Sequence, residues 1–129
     1  MTEQTPFQVV IPARYASTRL PGKPLSDIHG KPMVAWVVAA AERSRASGVY
    51  VATDDERVAT AVEHTGGRAV RTREDHTSGT DRLAEVAEQM DWFDQTLVVN
   101  VQGDEPGMPP ALINEVADLL DAHPDAVVA

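Results

Sequence analysis

The chain has 129 residues, of which 43% are apolar and 24% are charged, a composition typical of one soluble globular domain and not of a disordered chain. It contains no cysteine, which excludes disulfides and thiolate metal sites and is usual in a reducing cytoplasm. A net charge of −9 argues against a nucleic-acid binder, whose affinity depends on neutralising phosphates.

Neither a leader peptide nor a membrane span is predicted. The first residues, MTEQTPFQ, have no basic or apolar leader region, and the longest apolar run, around Val34 to Ala41, is too short to cross a bilayer. We therefore expect a cytoplasmic protein with no membrane partner. All 11 Lys and Arg lie at or before Arg82, and the part of the chain after it carries ten carboxylates.

Apolar patterning predicts strands and helices that alternate along the chain. Runs of β-branched and aromatic residues predict strands at Phe7–Ile11, Val49–Thr53, Arg68–Arg71 and Thr96–Gln102, and the start of a fifth at Asp125–Ala129. Apolar residues at helical spacing predict helices from Pro32 to Ser47, from Asp54 to Gly66, around Leu83 to Met90, and from Pro109 to Leu120. This order predicts a single α/β domain over residues 1–129, with a mostly parallel sheet between helices in three αβα layers.

The first candidate binding loop runs from Pro12 to Pro24. It holds three cations, Arg14, Arg19 and Lys23, among Pro, Gly, Ser and Thr residues that favour turns. Guanidinium forks and an ammonium gathered after a strand are typical of a polyphosphate site, although a solvated basic loop is the alternative. The loop is neither a Walker motif nor a Rossmann fingerprint, because both glycine patterns are absent.

Two further loops follow predicted strands, and ligands of open parallel sheets bind at the strands' carboxyl ends. In REDHTSGTDR, Arg73 to Arg82, small residues would let backbone approach a planar base. The alternative is that Thr80 caps a helix with Asp81 in its first turn and Arg82 solvated. The third loop is VQGDEP, from Val101 to Pro106. A carboxylate placed beside phosphates is a usual Mg²⁺ ligand. We expect Glu105 to be simply exposed.

The remaining histidines and the tryptophans are not assigned to a site. His29, His64 and His123 lack partners at metal-ligand spacing and are predicted to lie on the surface. Trp36 and Trp92 lie outside the three loops and are predicted to pack.

The run PARYASTRLPGKPL, from Pro12 to Leu25, resembles the nucleotide-binding signature of the sugar-acid cytidylyltransferases, in particular the 3-deoxy-manno-octulosonate (Kdo) members. The run from His76 to Arg82 resembles their H-x-S-G-T-[ED]-R, with Asp81 where Glu is frequent. The resemblance implies a Rossmann-like nucleotide-diphospho-sugar transferase fold. It also implies a CTP-dependent enzyme that activates Kdo to CMP-Kdo with release of pyrophosphate, for lipopolysaccharide biosynthesis. Because the family continues well beyond Ala129, we expect an N-terminal part, shortened at its C-terminus.

The resemblance also implies the roles of individual residues. Arg14 and Lys23 would hold the triphosphate, Arg19 would meet the α-phosphate or the sugar acid, and these three cations form the catalytic set. Gln102 would help to hold Kdo, and Asp104 would bind Mg²⁺. The residues expected to contact CTP are Pro12, Ala13, Arg14, Ser17, Lys23, His76, Ser78, Gly79, Thr80 and Arg82. The resemblance further implies a homodimer at full length.

Several other functions are compatible with these loops. The chain could be a CTP-binding module without chemistry, a cytidylyltransferase for another acidic sugar such as a sialic acid, or a uridylyltransferase. A flavodoxin-like regulatory domain is disfavoured, because domains of that type carry an acidic cluster where this chain has cations. We expect the isolated 129-residue chain to make no CMP-Kdo, since a second metal carboxylate and several sugar contacts of the family have no counterpart in it.

Overall fold

The computed structural model describes residues 6–13, 25–73, 79–92, 96–101 and 109–122. In chain order its elements are β1 (Phe7–Pro12), β2 (Asp27–Ile28), β3 (Lys31–Pro32), α1 (Met33–Glu42), β4 (Gly48–Thr53), α2 (Glu56–His64), β5 (Ala69–Arg71), α3 (Gly79–Gln89), β6 (Leu97–Asn100) and α4 (Pro110–Ala122). The prediction of four strands alternating with four helices is confirmed, while the fifth strand at 125–129 lies outside the described residues.

Four strands form one parallel sheet in the order β5-β4-β1-β6. Their side chains alternate between two faces, as the period of a strand requires. On one face, Val9 and Ile11 of β1 and Val51 of β4 share a core with α1, α2 and α4. On the other face, Val10 and Tyr50 pack with α3. The predicted three αβα layers are therefore present.

A short antiparallel hairpin, β2 and β3, was not predicted from the sequence. Its strands have two residues each, too few for a period of two to be seen, and its turn uses positive φ at His29 (50°) and Gly30 (87°). Trp36 supports the hairpin, because its Nε1 donates to the carbonyl oxygen of Ile28 at 2.6 Å and Lys31 Nζ lies 4.4 Å from its ring centroid. The prediction that Trp36 packs is confirmed.

Trp92 also packs, with its ring edge-on to Tyr50 at a centroid distance of 5.5 Å. His29 and His64 are exposed, as predicted, and His123 lies outside the described residues. None of the helices in the described segments is long and apolar enough to cross a membrane.

The order of the strands places a switch point between β1 and β6. From β1 the chain passes through α1 to β4 and through α2 to β5, always in one direction across the sheet. Helix α3 then returns the chain over the opposite face to β6, on the other side of β1. Connections that leave neighbouring strands in opposite directions open a crevice at their carboxyl ends, the usual place for ligands in such sheets.

Candidate functional site

Strands β1 and β6 end side by side at the carboxyl edge of the sheet. Val10 is paired with Asn100, and the amide of Val101 donates to the carbonyl oxygen of Val10 at 3.1 Å. Ala13 continues β1 by donating its amide to the carbonyl oxygen of Ala52 on β4 at 2.9 Å. Neighbouring strands lie about 4.8 Å apart. The basic segment 14–24 and the acidic segment 102–108 therefore begin next to each other.

Most of the residues predicted for these two segments lie outside the described part of the chain: Arg14, Ser17, Arg19, Lys23, Gln102 and Asp104. Of the predicted residues in the first loop, Pro12 ends β1 and Ala13 is 2% exposed, with its side chain in the core. Since the amide of Ala13 already donates to β4, this N–H group is not available to a ligand.

The second predicted loop leads into α3. His76 and Ser78 lie outside the described residues, Gly79 is the first residue of α3, and Thr80 lies in its first turn. The alternative in which Thr80 precedes and caps the helix is therefore wrong, whereas Asp81 does lie in the first turn. Because α3 follows β5, this helix begins near the carboxyl edge of the sheet, where its first amides favour an anion.

Arg82 is buried, with 1% of its surface exposed. Its Nη1 donates to the hydroxyl of Thr72 and, at 3.1 Å, to the carbonyl oxygen of Arg73, and its Nη2 lies 3.5 Å from Oδ2 of Asp54. The alternative in which Arg82 is solvated is wrong, because protein groups at the ends of β4 and β5 take the place of water around its guanidinium. No sequence pattern links Asp54 or Thr72 to Arg82, although each follows a predicted strand.

Two more side chains of α3 hold the end of β5. Glu85 Oε1 accepts from the amide of Arg73 at 2.9 Å, and Gln89 Nε2 donates to the carbonyl oxygen of Arg71 at 2.9 Å. Arg82, Glu85 and Gln89 are spaced i, i+3 and i+7, so they share one face of the helix. Their hydrogen bonds include backbone groups at the end of β5, an outer strand of the described sheet. Arg73, the residue before segment 74–78, is therefore held by α3.

The neighbouring carboxylate, Asp55, has a different role. It is the N-cap of α2, where its Oδ1 accepts from the amides of Arg57 and Val58 at 2.8 and 3.3 Å. The hydrogen bond from the Arg57 guanidinium, followed by these amides, holds the pKa of Asp55 below its ordinary value of 3.8 despite some burial. Asp54 is not the cap of this helix, and its carboxylate reaches Arg82 instead.

One more polar group at the same edge of the sheet is the side-chain oxygen of Asn100. Asn100 Oδ1, at the end of β6, is buried and has no hydrogen-bond partner within the described part of the chain. Sequence reasoning did not single it out. As for metals, no group of three or more His, Asp or Glu residues is placed to hold one within the described segments, and the predicted ligand Asp104 lies outside them.

The amino-acid sequence is closely similar to those of curated bacterial enzymes. It is 59% identical over 123 residues to the 3-deoxy-manno-octulosonate cytidylyltransferase of Pseudomonas fluorescens, across 95% of this chain and 48% of the relative. It is 61% identical over 114 residues to the enzyme of the same name from Proteus mirabilis, across 88% of this chain and 45% of the relative. The chain thus spans about half the length of these relatives.

The fold is also that of solved structures. The structure of CMP:2-keto-3-deoxy-manno-octonic acid synthetase complexed with CTP superposes with a TM-score of 0.85 at 45% identity, over 94% of this chain and 49% of that one. A cytidylyltransferase from Leptospira borgpetersenii, at 19% identity and a TM-score of 0.75, shares the fold over 95% of this chain and 51% of that one. The family model described as cytidylyltransferase matches residues 8–128. Because that match spans nearly the whole sequence, the chain belongs to the cytidylyltransferase family.

Proposed function

We propose that this chain carries the CTP-binding part of an enzyme that joins Kdo to CTP, giving CMP-Kdo and pyrophosphate. The observation that carries the proposal is that β1 and β6 end side by side at one edge of the sheet. In the sequence, a basic segment follows β1 and an acidic segment follows β6. Membership of the cytidylyltransferase family supports CTP as the nucleotide. The names of the similar enzymes support Kdo as the acceptor.

The three cations of the basic segment would act on the triphosphate. In the reaction, the anomeric hydroxyl oxygen of Kdo forms a bond to the α-phosphorus while the bond from that phosphorus to pyrophosphate breaks, and the hydroxyl proton is released to water. Negative charge grows on the α-phosphate and on the departing pyrophosphate. Arg14 and Lys23 would neutralise this charge, and Arg19 would align the α-phosphate or the sugar carboxylate. Ser17 would donate its hydroxyl to a phosphate oxygen.

The nucleoside would lie between the end of β1 and the start of α3. The carbonyl oxygen of Ala13 can accept the amine that distinguishes cytosine from uracil, and Pro12 precedes it. Segment 74–78, with His76 and Ser78, and the backbone of Gly79 and Thr80 would approach the nucleotide from the other side. The burial of Arg82 favours a supporting role for this residue over contact with phosphates.

The acidic segment would hold the metal and the sugar acid. A carboxylate three residues beyond Val101 suits Mg²⁺, which takes one or two protein carboxylates and completes its shell with water and phosphate oxygens. Asp104 would be that ligand, and Gln102 would orient Kdo. When bound, the ion supplies a positive charge that polarises the phosphoryl group. Asp104 would in this way contribute, together with Arg14 and Lys23, to binding of the triphosphate.

Two wider features belong to the same proposal. The enzyme would work in the cytoplasm, where CTP is made, and supply CMP-Kdo for lipopolysaccharide. At the length of the curated relatives it would form a homodimer, and its ligands would be CTP and Kdo, not nucleic acid or membrane.

Calorimetry with the 129-residue chain tests the nucleotide part of the proposal. We expect CTP to bind in the presence of Mg²⁺ and about tenfold more weakly without it, which corresponds to about 1.4 kcal/mol. UTP, ATP and GTP serve as matched ligands with the same triphosphate. Equal affinity for CTP and UTP would contradict a cytosine site, and no CTP binding would contradict the proposal for this chain.

The acceptor is tested in a protein extended to the length of the curated relatives. Pyrophosphate release is expected with CTP and Kdo together, and not with CTP and a sialic acid. Release with a sialic acid and none with Kdo would identify a cytidylyltransferase for a different acidic sugar.

A further inference from the structure

The side chain of Asn100 places a buried hydrogen-bond acceptor at the carboxyl end of β6. Its Oδ1 has no hydrogen-bond partner among the residues that the structure describes. Asn100 is the last residue of β6 and is paired with Val10 of β1. The next amide, that of Val101, donates to the carbonyl oxygen of Val10 at 3.1 Å. The place of Asn100 at the switch point between β1 and β6 is therefore set by strand pairing.

Asn100 lies on the face of the sheet that α3 covers. Side chains alternate along a strand, and Val99 and Val101 belong to the core shared with α1, α2 and α4. Val98 packs on the other face, with Val10 and α3, so the side chain of Asn100 shares that face. The nucleoside is proposed to lie on the same side, between the end of β1 and the start of α3.

An acceptor that is buried without a donor is unfavourable, because its hydrogen bonds to water are lost and not replaced. Native proteins contain few such groups, and departures of this kind are concentrated at functional sites. Asn100 as a whole is only partly buried, so its carboxamide lies next to the surface at this edge. A ligand that donates a hydrogen to the oxygen would remove the unfavourable contribution when it binds.

The chemistry of the acceptor narrows the choice of ligand group. A carboxamide oxygen accepts from O–H and N–H groups, whereas the phosphate oxygens of CTP are themselves acceptors and cannot be its partners. The function proposed above assigns the cytosine amine to the carbonyl oxygen of Ala13. The donors that remain on CTP are the two hydroxyls of the ribose.

We propose that Asn100 is a specificity-determining residue whose Oδ1 accepts a hydrogen bond from a ribose hydroxyl of CTP. A site built to accept a hydroxyl discriminates against the analogue that lacks it, because the buried acceptor is then left unpaired. Asn100 thereby favours the ribonucleotide over its deoxy analogues. This inference rests on the function proposed above and adds to it a contact and a selectivity.

A second buried oxygen in the same sheet provides a matched control. Oε1 of Gln8 also has no partner within the described ranges. Gln8 shares the face of Val10 but lies two residues nearer the amino end of β1. It is next to Gly48, the first residue of β4, where an added Cβ would be 2.6 Å from this oxygen. Ligands of such sheets bind at the opposite edge, so Gln8 differs from Asn100 in position and not in chemistry.

The central test compares Asn100→Leu with Gln8→Met by calorimetry of the 129-residue chain with CTP and Mg²⁺. Each change replaces a carboxamide with an apolar side chain of similar size. Asn100→Leu is expected to weaken CTP binding about tenfold through the loss of one hydrogen bond, and Gln8→Met is expected to leave the affinity unchanged. Without ligand, the thermal midpoint of Asn100→Leu should equal or exceed that of wild type, because this variant no longer buries an unpaired oxygen.

Deoxy analogues of CTP identify the hydroxyl. Wild type is expected to bind either 2′-deoxy-CTP or 3′-deoxy-CTP about tenfold more weakly than CTP. Asn100→Leu should bind that same analogue as well as wild type does, because the hydrogen bond is already missing. UTP keeps the ribose, so Asn100→Leu should weaken UTP binding by the same factor as CTP binding. A residue with only a structural role would weaken the binding of all these ligands alike.

The outcomes separate the ribose contact from the proposed function. If CTP binds equally well to Asn100→Leu and to wild type, or if wild type binds both deoxy analogues as tightly as CTP, the ribose contact is wrong and the proposed function stands. The second of these measurements needs no variant, so it decides the matter even where Asn100→Leu does not fold.

Two further results would overturn the inference. An equal loss in Gln8→Met, or an equal loss for CTP and both deoxy analogues in Asn100→Leu, would mean a general effect on the sheet. If the wild-type chain does not bind CTP at all, the proposed function fails for this chain, and the ribose contact fails with it.

Discussion

Arg82 shows at the scale of one residue how position in the fold changes the meaning of a side chain. In the sequence it is the last residue of a motif that resembles a nucleotide-contacting loop, or a solvated residue early in a helix. In the fold it is the largest of the fully buried side chains of the described residues. A buried guanidinium is tolerated only when its donors and its charge are matched, and Thr72, Arg73 and Asp54 provide the match.

Removing the Arg82 guanidinium should therefore destabilise the fold strongly. Arg82→Met keeps the length of the side chain but leaves Asp54 and Thr72 without this partner, so we expect the free energy of unfolding to fall by about 3 kcal/mol. Urea denaturation measures it. The control is Arg57→Met, where the side chain is 60% exposed and pairs with Asp55, and the expected loss is below about 1 kcal/mol. Similar losses in the two variants would contradict the importance of the buried cluster.

A second prediction for a single residue concerns Lys23 and the activity of the enzyme. In a protein extended to the length of the curated relatives, Lys23→Ala should lower turnover with CTP and Kdo at least a hundredfold, a loss of about 2.7 kcal/mol of barrier reduction. The reason is the loss of a positive charge that offsets the charge growing on the triphosphate. Steady-state pyrophosphate release measures the effect, and Lys31→Ala, in the β2–β3 hairpin over Trp36, is the control. Wild-type turnover and CTP affinity in Lys23→Ala would remove the assignment.

Helix α2 shows what the sequence specifies at the scale of an element. Two carboxylates at the predicted start, Asp54 and Asp55, both suit a helix N-terminus, and nothing in their order says which one caps it. The structure assigns the cap to Asp55, which accepts two backbone amides, and turns Asp54 towards Arg82. The roles of the two carboxylates depend on where β4 ends, because the end of the strand determines which carboxylate lies next to the first turn of α2.

The cap makes the stability of the chain depend on pH. The pKa of Asp55 in the folded chain is lowered, first by the Arg57 guanidinium. A lowered folded pKa means that the stabilisation is present above the ordinary value of 3.8 and is lost as the pH falls through the folded value. Asp55→Ala should cost about 1 kcal/mol near neutral pH. The difference from wild type should shrink in acid, as measured by urea denaturation across pH. A difference that stays constant down to about pH 2 would mean that the charge contributes nothing.

At the scale of the whole molecule, the order of the strands creates the candidate site. Because β6 lies on the far side of β1 from β4, the ends of β1 and β6 are neighbours at one edge of the sheet. Had β6 added next to β5, the acidic segment would begin three strands away from the basic one. The chain as given spans about half the length of its curated relatives, so the sugar side of the site has to be tested separately from the nucleotide side.

We therefore expect the 129-residue chain to bind CTP with Mg²⁺ and to form no CMP-Kdo, even at saturating substrates. The chain spans about half the length of its curated relatives, and we expect synthesis to require contacts made by the other half. The measurement is pyrophosphate release together with chromatography for CMP-Kdo, with a protein of the relatives' length as the positive control. Synthesis by the 129-residue chain would contradict this expectation.

Much of the fold could be predicted because its signals are local. The runs at Phe7–Ile11 and Val49–Thr53 are strands within one residue of the predicted bounds. Helix α3 begins four residues before its first apolar residue, Leu83, because its first turn is polar and carries no apolar period. The β2–β3 hairpin had no detectable period at all. The roles of Arg14, Lys23 and Asp104 stay predictions, since these residues lie outside the described part of the chain.

By itself, the sequence determined the four strands of the sheet and the four helices that alternate with them, which loop is basic and which acidic, and which family the motifs resemble. Hydrophobic period, charge and short motifs are properties of neighbouring residues, so they can be read along the chain. Only the tertiary structure decided that β1 and β6 end side by side, that Asp55 and not Asp54 caps α2, and that Arg82 is buried against Asp54. These outcomes depend on contacts between residues far apart in sequence, where burial and strand order are set by the packing of the whole sheet.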